Sequence, residues 1–493
     1  MNLKKNLNPA QQAAVDHAGS HLLIIAGPGT GKTHTLTHRI AASTKHLKDN
    51  EQILAITFTK KAAHEFCSRL QNLKCDLSNI EAGTFHSFCL KILKQYYREA
   101  GLSENFNVIE EEKINGILKE LWPEQSSRER MQIYDRISLY KSSQFDEDIP
   151  SDVLLYNNAL ANRNVLDFDD ILLKVYRLLK NNSTILENIQ QMYPYIFIDE
   201  YQDVNAIQHS LLKMWVGAGN YLTAIGDPNQ AIYGFRGSDI MFFESFTQDF
   251  APAVQLSLNE NFRSLSFIIE ASNQIMQKSA SKYIPEVTSN IHSEGKLVIH
   301  QAATEKAEAE FVVHMIEKLI GGTSMFSRDT KRVGQDDLGE VSFGDIAVLY
   351  RLNSQAHVLK EAFERSGMPY HVATKESEDD VCPLRTIEAE IDIEKISFLT
   401  LHAAKGLEFP VVFMLGCEEN ILPLHLEGLA SNPEEERRLF YVGVTRAKYR
   451  LYLLSSQKRF LWGKLFQNKL SPFVQDIEGR LKEEEFQRIK KKK

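Results

Sequence analysis

The sequence predicts an α/β protein built on parallel sheets, because short apolar runs recur along the chain with helical stretches between them. Residues 22–26 (LLIIA) are such a run, followed by glycines and then by a helix-like stretch over 32–42. The same pattern returns at further places, namely 53–58, 195–199, 221–227, 346–351 and 411–416. Continuous apolar strands that alternate with helices are typical of parallel sheets covered on both faces.

Length and composition indicate several folding units. The chain has 493 residues, more than one ordinary domain, and 43% of them are hydrophobic, which is enough for several cores. No apolar run approaches the roughly 18 residues that cross a bilayer, and residues 1–15 lack the apolar stretch of a signal peptide. The net charge of −8 is mild evidence against a nucleic-acid partner, although an acidic total can include a basic groove.

Cysteine usage predicts a cytoplasmic protein, and the lack of a long apolar run predicts that it does not associate with a membrane. The cysteines are scattered, with no C-x-x-C pair, and the histidines show no HExxH spacing. The cysteines are Cys67, Cys75, Cys89, Cys382 and Cys417. This pattern argues against a disulfide framework, a zinc site or an iron–sulfur site, and it suits a reducing compartment.

The segment 26–33 (AGPGTGKT) is predicted to hold the phosphates of a nucleotide, because it follows a predicted strand and opens a helix. Glycines let backbone N–H groups turn toward phosphate oxygens, Lys32 would reach the β- and γ-phosphates, and the Thr33 hydroxyl would ligate Mg²⁺. The motif usually begins with glycine, where this chain has alanine, and the alternative is a glycine-rich turn without ligand. The loop residues are Ala26, Gly27, Pro28, Gly29, Thr30 and Gly31.

A carboxylate pair ends the predicted strand at 195–199. Asp199 would bind the metal through water, and Glu200 would orient and deprotonate an attacking water. An isolated Asp–Glu pair is more often a solvated strand end. Its position after a buried strand, in a chain that also has a phosphate loop, favours nucleotide hydrolysis.

Two arginines are candidates for stabilising the negative charge of the transition state. Arg263 lies in LNENFRS (258–264) and Arg446 lies in YVGVTRAK (441–448). Arginines in this role are worth large rate factors in related chemistry. Lone arginines are more often solvated surface residues, so the residues alone leave both interpretations open.

Nine blocks, in chain order, resemble the helicase motifs of superfamily 1, most closely those of the UvrD/Rep/PcrA group of 3′→5′ DNA helicases. The blocks are LNPAQQAAV (7–15), AGPGTGKT (26–33), TFTKKAAHEF (57–66), AGTFHSFC (82–89), DEYQD (199–203), GDPNQAIYGFRGS (226–238), LNENFRS (258–264), TLHAAKGLEFPVVF (400–413) and ERRLFYVGVTRAK (436–448). A small-molecule kinase, GTPase or transporter ATPase would explain only the phosphate loop and the carboxylate block.

The resemblance implies two RecA-like parallel-sheet P-loop domains, with an α-helical insertion in the first. The predicted domains are 1–88 with 194–268 (first RecA-like domain, 1A), 89–193 (helical insertion, 1B), 269–477 (second RecA-like domain, 2A) and 478–493 (charged tail). The helical insertion is also predicted by its charged sequence with few β-branched runs.

Larger members of the group carry a second insertion subdomain, 2B, in the second RecA-like domain. In this chain only the polar stretch 373–395 separates FERSGMPYHV (363–372) from the next block, and it is too short for a domain. We therefore predict an acidic linker in place of 2B. Because 2B contacts the duplex in this family, its absence puts strand separation in question while leaving movement along a strand unaffected.

The resemblance also implies roles for residues around the nucleotide. Gln11 would read the adenine edge, Arg39 would lie beside the nucleotide, and Glu408 would lie near the ribose. Phe262 would stack on the base, where family members often have tyrosine. Catalysis would involve Glu200 together with three residues at the γ-phosphate: Gln230, Arg263 and Arg446.

The segment 226–238 is implied to connect the nucleotide to DNA. Gln230 would face ATP, while Tyr233, Phe235 and Arg236 would face single-stranded DNA. Bases stack on aromatic rings regardless of sequence, at about 1–3 kcal/mol per base. Core packing is the alternative for any single aromatic residue. Further DNA contacts are implied for Phe58, His86, Arg351, Asn353 and His402.

The sequence thus predicts an ATP-dependent 3′→5′ DNA helicase or single-stranded DNA translocase that acts in DNA repair or replication. ATP and Mg²⁺ are the expected cofactors, and single-stranded DNA and ss/dsDNA junctions are the expected partners. The alternative is a DNA-stimulated ATPase translocase that displaces proteins and unwinds poorly. A non-catalytic module is disfavoured by the intact site residues, and RNA stays open because stacking does not distinguish the sugar.

Overall fold

The computed structural model describes residues 7–143, 145, 148–283, 286–321, 341–372, 391–425 and 432–484. Most of the linker predicted at 373–395 and of the tail predicted at 478–493 lies outside these residues. The chain divides into two compact units, residues 1–26 with 31–258 and residues 27–30 with 259–493. The domain boundaries given above, including the one at 268, stay a prediction.

The first unit contains one large sheet, helices on its faces, and a mainly helical stretch between β3 and β6. Its elements are α1 (Pro9–Asp16), β1 (His21–Ala26), α2 (Lys32–Ser43), β2 (Ile53–Thr57), α3 (Lys60–Asn72), β3 (Ile80–Thr84), α4 (Phe85–Gln95), β4 (Asn107–Val108), α5 (Glu111–Leu121), α6 (Ser127–Ser143), α7 (Ser151–Asn162), β5 (Val165–Leu166), α8 (Phe168–Asn181), α9 (Ser183–Met192), β6 (Tyr195–Ile198), α10 (Ala206–Trp215), β7 (Tyr221–Gly226), α11 (Ile240–Glu244), α12 (Phe246–Asp249) and β8 (Ala253–Leu258).

The large sheet of the first unit has the strand order β3-β2-β6-β7-β1-β8, and every neighbouring pair is parallel. Its central strands are almost fully buried, as the apolar runs at 22–26, 53–58, 195–199 and 221–227 predict. Crossover helices pack on the sheet, and α2 buries Leu36 and Ile40 against β1. The α/β prediction with parallel strands is confirmed.

The stretch between β3 and β6 has a core of its own. Helices α5, α6 and α7 bury Ile117, Ile137 and Tyr156 against one another, and the short strands β4 and β5 pair in parallel. The helical content agrees with the charged, strand-poor sequence of this region.

The second unit is also built on a mostly parallel sheet. Its elements are β9 (Glu260–Asn261), α13 (Ser266–Met276), β10 (Thr288–Ser289), β11 (Leu297–Thr304), α14 (Glu305–Gly321), β12 (Ile346–Tyr350), α15 (Gln355–Ser366), β13 (Tyr370–Val372), β14 (Ile396–Thr400), β15 (Phe409–Met414), α16 (Pro433–Val444), β16 (Ala447–Leu461), β17 (Lys464–Gln467), α17 (Pro472–Gln475) and β18 (Lys482–Glu484). The sheet order is β13-β14-β12-β15-β16-β11-β18, with parallel neighbours, and β17 pairs antiparallel with β16.

None of the helices in the described ranges has the length and apolar character needed to cross a bilayer.

A buried ion cluster joins α14 to the long strand β16 in the second unit. Arg459 contacts Glu308 through Nη2 at 2.6 Å and Glu418 through Nε at 2.6 Å. All three side chains are buried. Removing one partner of a buried ion pair leaves an uncompensated charge, which is more costly than replacing the whole pair.

We therefore expect Arg459→Met to lower the free energy of unfolding of the second unit by about 3–5 kcal/mol, since two buried carboxylates lose their counter-ion. Differential scanning calorimetry, which can separate the transitions of different units, measures this change. The control is Arg365→Met, which removes an exposed ion pair between α15 and Glu310 on α14 and should change little. Equal shifts in the two variants would contradict the structural importance of the buried cluster.

Candidate active site

The parallel sheet of the first unit brings the candidate residues to one edge. β1, β2, β6 and β7 all point the same way, so their carboxyl ends meet at the same edge of the sheet. The phosphate loop follows β1, Phe58 follows β2, Asp199 follows β6 and Asp227 follows β7. The polar residues after these four strands therefore form one candidate site.

Glycines shape the phosphate loop. Gly29 and Gly31 have φ angles of +67° and +83°, a region that residues with a Cβ rarely adopt. A Cβ on Gly31 would lie 2.7 Å from Nε2 of Gln11, so the buried glutamine side chain lies directly against the loop. Lys32, the first residue of α2, donates from Nζ to the carbonyl oxygen of Ala26 at 3.3 Å. The loop thus opens onto the N-terminus of α2, a favourable position for phosphate.

Residues 27–30 of the loop belong to the second compact unit and contact the segment that begins it. Asn261 donates from Nδ2 to the carbonyl oxygen of Pro28 at 2.6 Å, and the Phe262 amide donates to the carbonyl oxygen of Gly29 at 3.0 Å. The Phe262 ring remains exposed. Asn261 is a residue that the sequence analysis did not single out.

The carboxylate pair follows β6 in an unusual backbone conformation. Glu200 has a φ of 51°, in the left-handed region, and its amide donates to Oδ1 of Asp199 at 3.0 Å. Burial raises the pKa of Asp199 to about 7, the charge of Glu200 adds to this, and Lys32 opposes it. The hydroxyl of Thr33 and the carboxylate of Asp199 are the oxygen donors that Mg²⁺ prefers, so these residues fit the predicted metal.

A hydrogen-bond network, buried except at Glu200, joins Glu200 to Gln230. Gln202 donates from Nε2 to Oε2 of Glu200 at 2.5 Å, and its Oε1 accepts from the Asp227 amide at 3.0 Å. Gln230 donates from Nε2 to Oδ2 of Asp227 at 2.7 Å. Gln202 and Asp227 therefore orient two predicted catalytic residues. The sequence analysis missed both, although they lie within the quoted blocks 199–203 and 226–238.

Three predicted nucleotide residues lie together in the second unit. Arg263 donates to Oε2 of Glu408 at 3.0 Å and to the carbonyl oxygen of Thr445 at 2.8 Å. Arg446 donates from Nη2 to Oγ1 of the same threonine at 3.1 Å. Lys448, which the sequence analysis did not assign, contacts Glu408 at 2.6 Å. The structure brings the two candidate arginines to one residue, Thr445.

Arg39 has a structural role in the first unit. Its side chain is buried and donates from Nε to Oγ1 of Thr223 at 2.9 Å, and from Nη1 to the carbonyl oxygens of Ala14 and His17, each at 2.7 Å. Burial lowers the pKa of Arg39 to about 10. These bonds connect α1 and β7 to α2. A contact between Arg39 and a nucleotide stays a prediction.

Aromatic rings form a row beyond Gln230. Phe58 stacks on Tyr233 with ring centroids 5.3 Å apart and planes 8° apart, and Phe235 lies edge-on to Tyr233 at 6.0 Å. The guanidinium carbon of Arg236 lies 5.4 Å from the Tyr233 centroid. Tyr233 is buried, whereas Phe58 and Phe235 are half-buried. Core packing therefore describes Tyr233 better than the other two rings.

His86 stacks on an exposed ring that the sequence analysis did not assign to DNA. Its centroid is 3.6 Å from that of Phe168, with planes 19° apart. Phe168 opens α8 and is 56% exposed. Burial lowers the pKa of His86 to about 3, so the imidazole is neutral. The sequence signal for Phe168 is its place in DFDDIL (167–172), a segment that resembles a further block of the UvrD/Rep/PcrA group.

The remaining DNA candidates lie in the second unit. Arg351 is buried and donates to Oε1 of Glu436 from Nη2 at 2.8 Å and from Nε at 3.2 Å. This pairing ties β12 to α16 and gives Arg351 a structural role. Asn353 is half-buried and His402 is buried. DNA contacts by these three residues stay a prediction.

A phosphate loop after one parallel strand, with a carboxylate pair at the end of another strand of the same sheet, defines the class of P-loop nucleoside triphosphatases. The family model for the UvrD/REP helicase N-terminal domain matches residues 7–251, and the model for the UvrD-like helicase C-terminal domain matches residues 256–377 and 384–458. The chain belongs to the UvrD/REP helicase family, and its two parallel-sheet units are RecA-like domains of an ATP-hydrolysing helicase.

Several similar curated proteins are named ATP-dependent DNA helicase PcrA. The protein from Bacillus subtilis (strain 168) is 27% identical over 98% of this chain and 87% of the relative. Its counterpart from Staphylococcus epidermidis is 27% identical over 96% and 87%, and that from Staphylococcus aureus is 26% identical over 98% and 87%. The first alignment covers 660 positions against the 493 residues here, so many positions of that relative have no counterpart in this chain.

Gln202 takes no part in the chemistry itself, but its hydrogen bonds predict that replacing it will slow catalysis. Gln202→Ala removes the hydrogen bond that orients Glu200 and leaves the Asp227 amide without its acceptor, so we expect kcat for ATP hydrolysis to fall about 10–100-fold. The KM for ATP should change little. Steady-state ATP turnover measures both constants.

The matched control is Gln190→Ala, which removes a hydrogen bond from Gln190 Nε2 to the carbonyl oxygen of Met214 in the same unit. Its kcat should equal that of the unchanged protein. If Gln202→Ala kept the same kcat as this control, the proposed orientation of Glu200 would be wrong.

Proposed function

We propose that this protein hydrolyses ATP, with Mg²⁺, to move 3′→5′ along single-stranded DNA and to open ss/dsDNA junctions. One observation carries the proposal: a continuous segment, 226–236, begins in the hydrogen-bond network of Glu200 and ends in the row of aromatic rings. A cytoplasmic location and a role in DNA repair or replication are part of the same proposal, supported by cysteine usage and by family resemblance respectively.

ATP hydrolysis is supported by the chemistry of the first unit. Lys32 and the N-terminus of α2 would bind the phosphates, and Glu200, held by Gln202, would take the proton of the attacking water. Bound at Thr33 and Asp199, Mg²⁺ would neutralise charge on the phosphates. Gln11 lies against the loop, where it would recognise the base.

The second unit would supply positive charge for the transition state. Arg263 and Arg446 both donate to Thr445, so two guanidinium groups lie in one small region of this unit, and that of Arg446 is buried. We propose that both act on the γ-phosphate during hydrolysis. The exposed ring of Phe262 would stack on the adenine, and Glu408 would lie near the ribose.

The row of aromatic rings and the His86–Phe168 stack together suit the binding of single-stranded DNA. The half-buried rings of Phe58 and Phe235 and the exposed ring of Phe168 offer faces to bases, and Arg236 adds a cation at the same place. Stacking accepts every base, so the surface would hold any sequence and release it again. His86 would hold the Phe168 ring in place by stacking on its other face.

Coupling would follow from the short path between nucleotide and strand. Gln230 ends one single-turn helix, Pro228–Gln230, and Tyr233 precedes the next, Gly234–Arg236. Loss of the γ-phosphate would change the partners of Gln230, and the two residues between Gln230 and Tyr233 would transmit that change to the Phe58–Tyr233 stack. Each turnover would thereby alter the grip on the strand.

A translocase that displaces proteins and unwinds poorly is the second candidate. The C-terminal family model is interrupted between 377 and 384, inside the linker predicted at 373–395. The alignment with the Bacillus subtilis relative has far more positions than this chain has residues. Both observations support the absence of 2B.

The first test is ATP turnover with and without single-stranded oligothymidylate. We expect strong stimulation by the oligonucleotide and a loss of about 10²–10⁴-fold in Glu200→Gln, which removes the general base. Oligouridylate in the same assay shows whether RNA also stimulates. Turnover that ignores both polymers would contradict the proposed coupling.

Polarity and unwinding need separate measurements. A 3′→5′ translocase should displace streptavidin from the 5′ end of a biotinylated oligonucleotide and leave the 3′-biotinylated one bound. Efficient opening of a 3′-tailed duplex supports the helicase, whereas displacement of streptavidin without opening supports the translocase. Faster displacement from the 3′ end would make the proposed polarity wrong.

A further inference from the structure

A lysine is fully buried in helix α6 of the first unit. The Nζ atom of Lys141 lies 2.7 Å from Oδ2 of Asp167 and 2.8 Å from Oδ1 of Asp170, and 5.0 Å from the ring centroid of Tyr156. Burial disfavours the ammonium, but the two carboxylates outweigh this and raise the pKa of Lys141. The lysine therefore remains charged and ties α6 to α8.

The two carboxylates that Lys141 binds belong to the first turn of α8. Asp167 caps this helix by accepting the Asp170 amide at Oδ1 at 2.8 Å, and its own amide donates to Oδ2 of Asp170 at 3.4 Å. Phe168 lies between these residues in the chain. Its backbone is thus held from both sides, while its ring is exposed and stacked on His86.

The end of α6 also lies against the segment that carries the other aromatic rings. A Cβ on Gly237 would lie 3.3 Å from Oγ of Ser142, the residue after Lys141. Gly237 directly follows Arg236. One helix end therefore contacts both blocks that would face the strand, the block of Phe168 and the block of Tyr233.

A buried ion cluster is not needed for stability as such, because well-packed apolar residues of similar volume often serve equally well or better. A charge held by two carboxylates does specify geometry, since the ammonium must lie within hydrogen-bond reach of both. Surfaces that are rigid before binding lose less entropy when they bind. The cluster of Lys141, Asp167 and Asp170 is therefore suited to orienting the exposed ring of Phe168.

We propose that Lys141 is a positioning residue for strand binding, which holds Phe168 on His86 at a set place relative to Tyr233. The inference rests on the proposed function, namely that this surface binds single-stranded DNA. Lys141 itself, being fully buried, touches no strand. Its removal would loosen the first turn of α8 and would leave the charge of the surface unchanged.

The test measures binding of fluorescently labelled oligothymidylate by anisotropy. We expect Lys141→Met to raise Kd about tenfold, within the range for loss of one base stack. Phe168→Ala should raise Kd by a similar factor, and the double variant should bind no more weakly than Phe168→Ala alone. The slope of log Kd against log salt should equal that of the unchanged protein, whereas losing a phosphate contact would reduce it.

Two further variants separate positioning from folding. Arg136→Met removes an exposed cation from the same helix, where it faces Asp152 at 3.5 Å, and should leave Kd within twofold. Lys141→Met with Asp170→Asn removes one of the two buried negative charges, so it should recover part of the thermal stability that Lys141→Met loses. Its affinity for the oligonucleotide should stay weak, because the link between α6 and α8 is still missing.

Two results would overturn the proposal. In one, affinity returns together with stability in Lys141→Met/Asp170→Asn, which would mean that Lys141 only neutralises buried charge and does not position Phe168. In the other, the effects of Lys141→Met and Phe168→Ala add, which would mean that the lysine acts elsewhere. Failure of the unchanged protein to bind oligothymidylate would instead overturn the proposed function and this inference with it.

Discussion

The parallel direction of neighbouring strands is the constraint on which the candidate site depends. In the first sheet it places the residues after β1, β2, β6 and β7 at one edge, although they are separated by up to two hundred positions in the chain. An antiparallel neighbour would have sent Asp199 or Asp227 to the opposite edge, away from Lys32. The phosphate loop, the carboxylate pair and the aromatic row are therefore consequences of one topological choice.

Burial of charge has a chemical consequence at this edge. Carboxylates that leave water without a matched cation favour their neutral form, and the raised pKa of Asp199 reflects this. A divalent cation bound here would restore the balance, because it would offset the charges of Asp199 and Glu200. Gln202 and Asp227 hold the side chains of Glu200 and Gln230 by hydrogen bonds. The same environment that is unfavourable for an isolated carboxylate is suited to binding a metal and a triphosphate.

Sequence patterns predicted six strands that are buried on both faces, and they missed others, among them the buried interior strand β14 and strands at the sheet edges. The runs at 22–26 and 221–227 are continuous and apolar, so their strands were predictable. Strand β8 was not predicted, because it is an edge strand whose residues are largely exposed and its sequence AVQLSL lacks a continuous apolar run. At the site, motif spacing identified Lys32, yet Gln202 was missed since its role depends on which backbone amide it meets after folding. Arg351 was assigned to DNA by resemblance. Its hydrogen bond to Glu436 could not be predicted, because the two residues lie 85 positions apart in the chain.

The acidic composition and the proposed strand-binding surface are compatible once the type of contact is considered. Net charge governs long-range attraction to phosphates, whereas stacking depends on flat apolar faces and acts at contact distance. A net charge of −8 does not by itself attract DNA. The protein can still hold bases if rings such as Phe168 are rigid and already placed, because the entropy of ordering them is lost during folding and not during binding. Rigid placement of rings then contributes to affinity what net charge does not, and a buried ion cluster beneath an exposed phenylalanine is one physical means of achieving it.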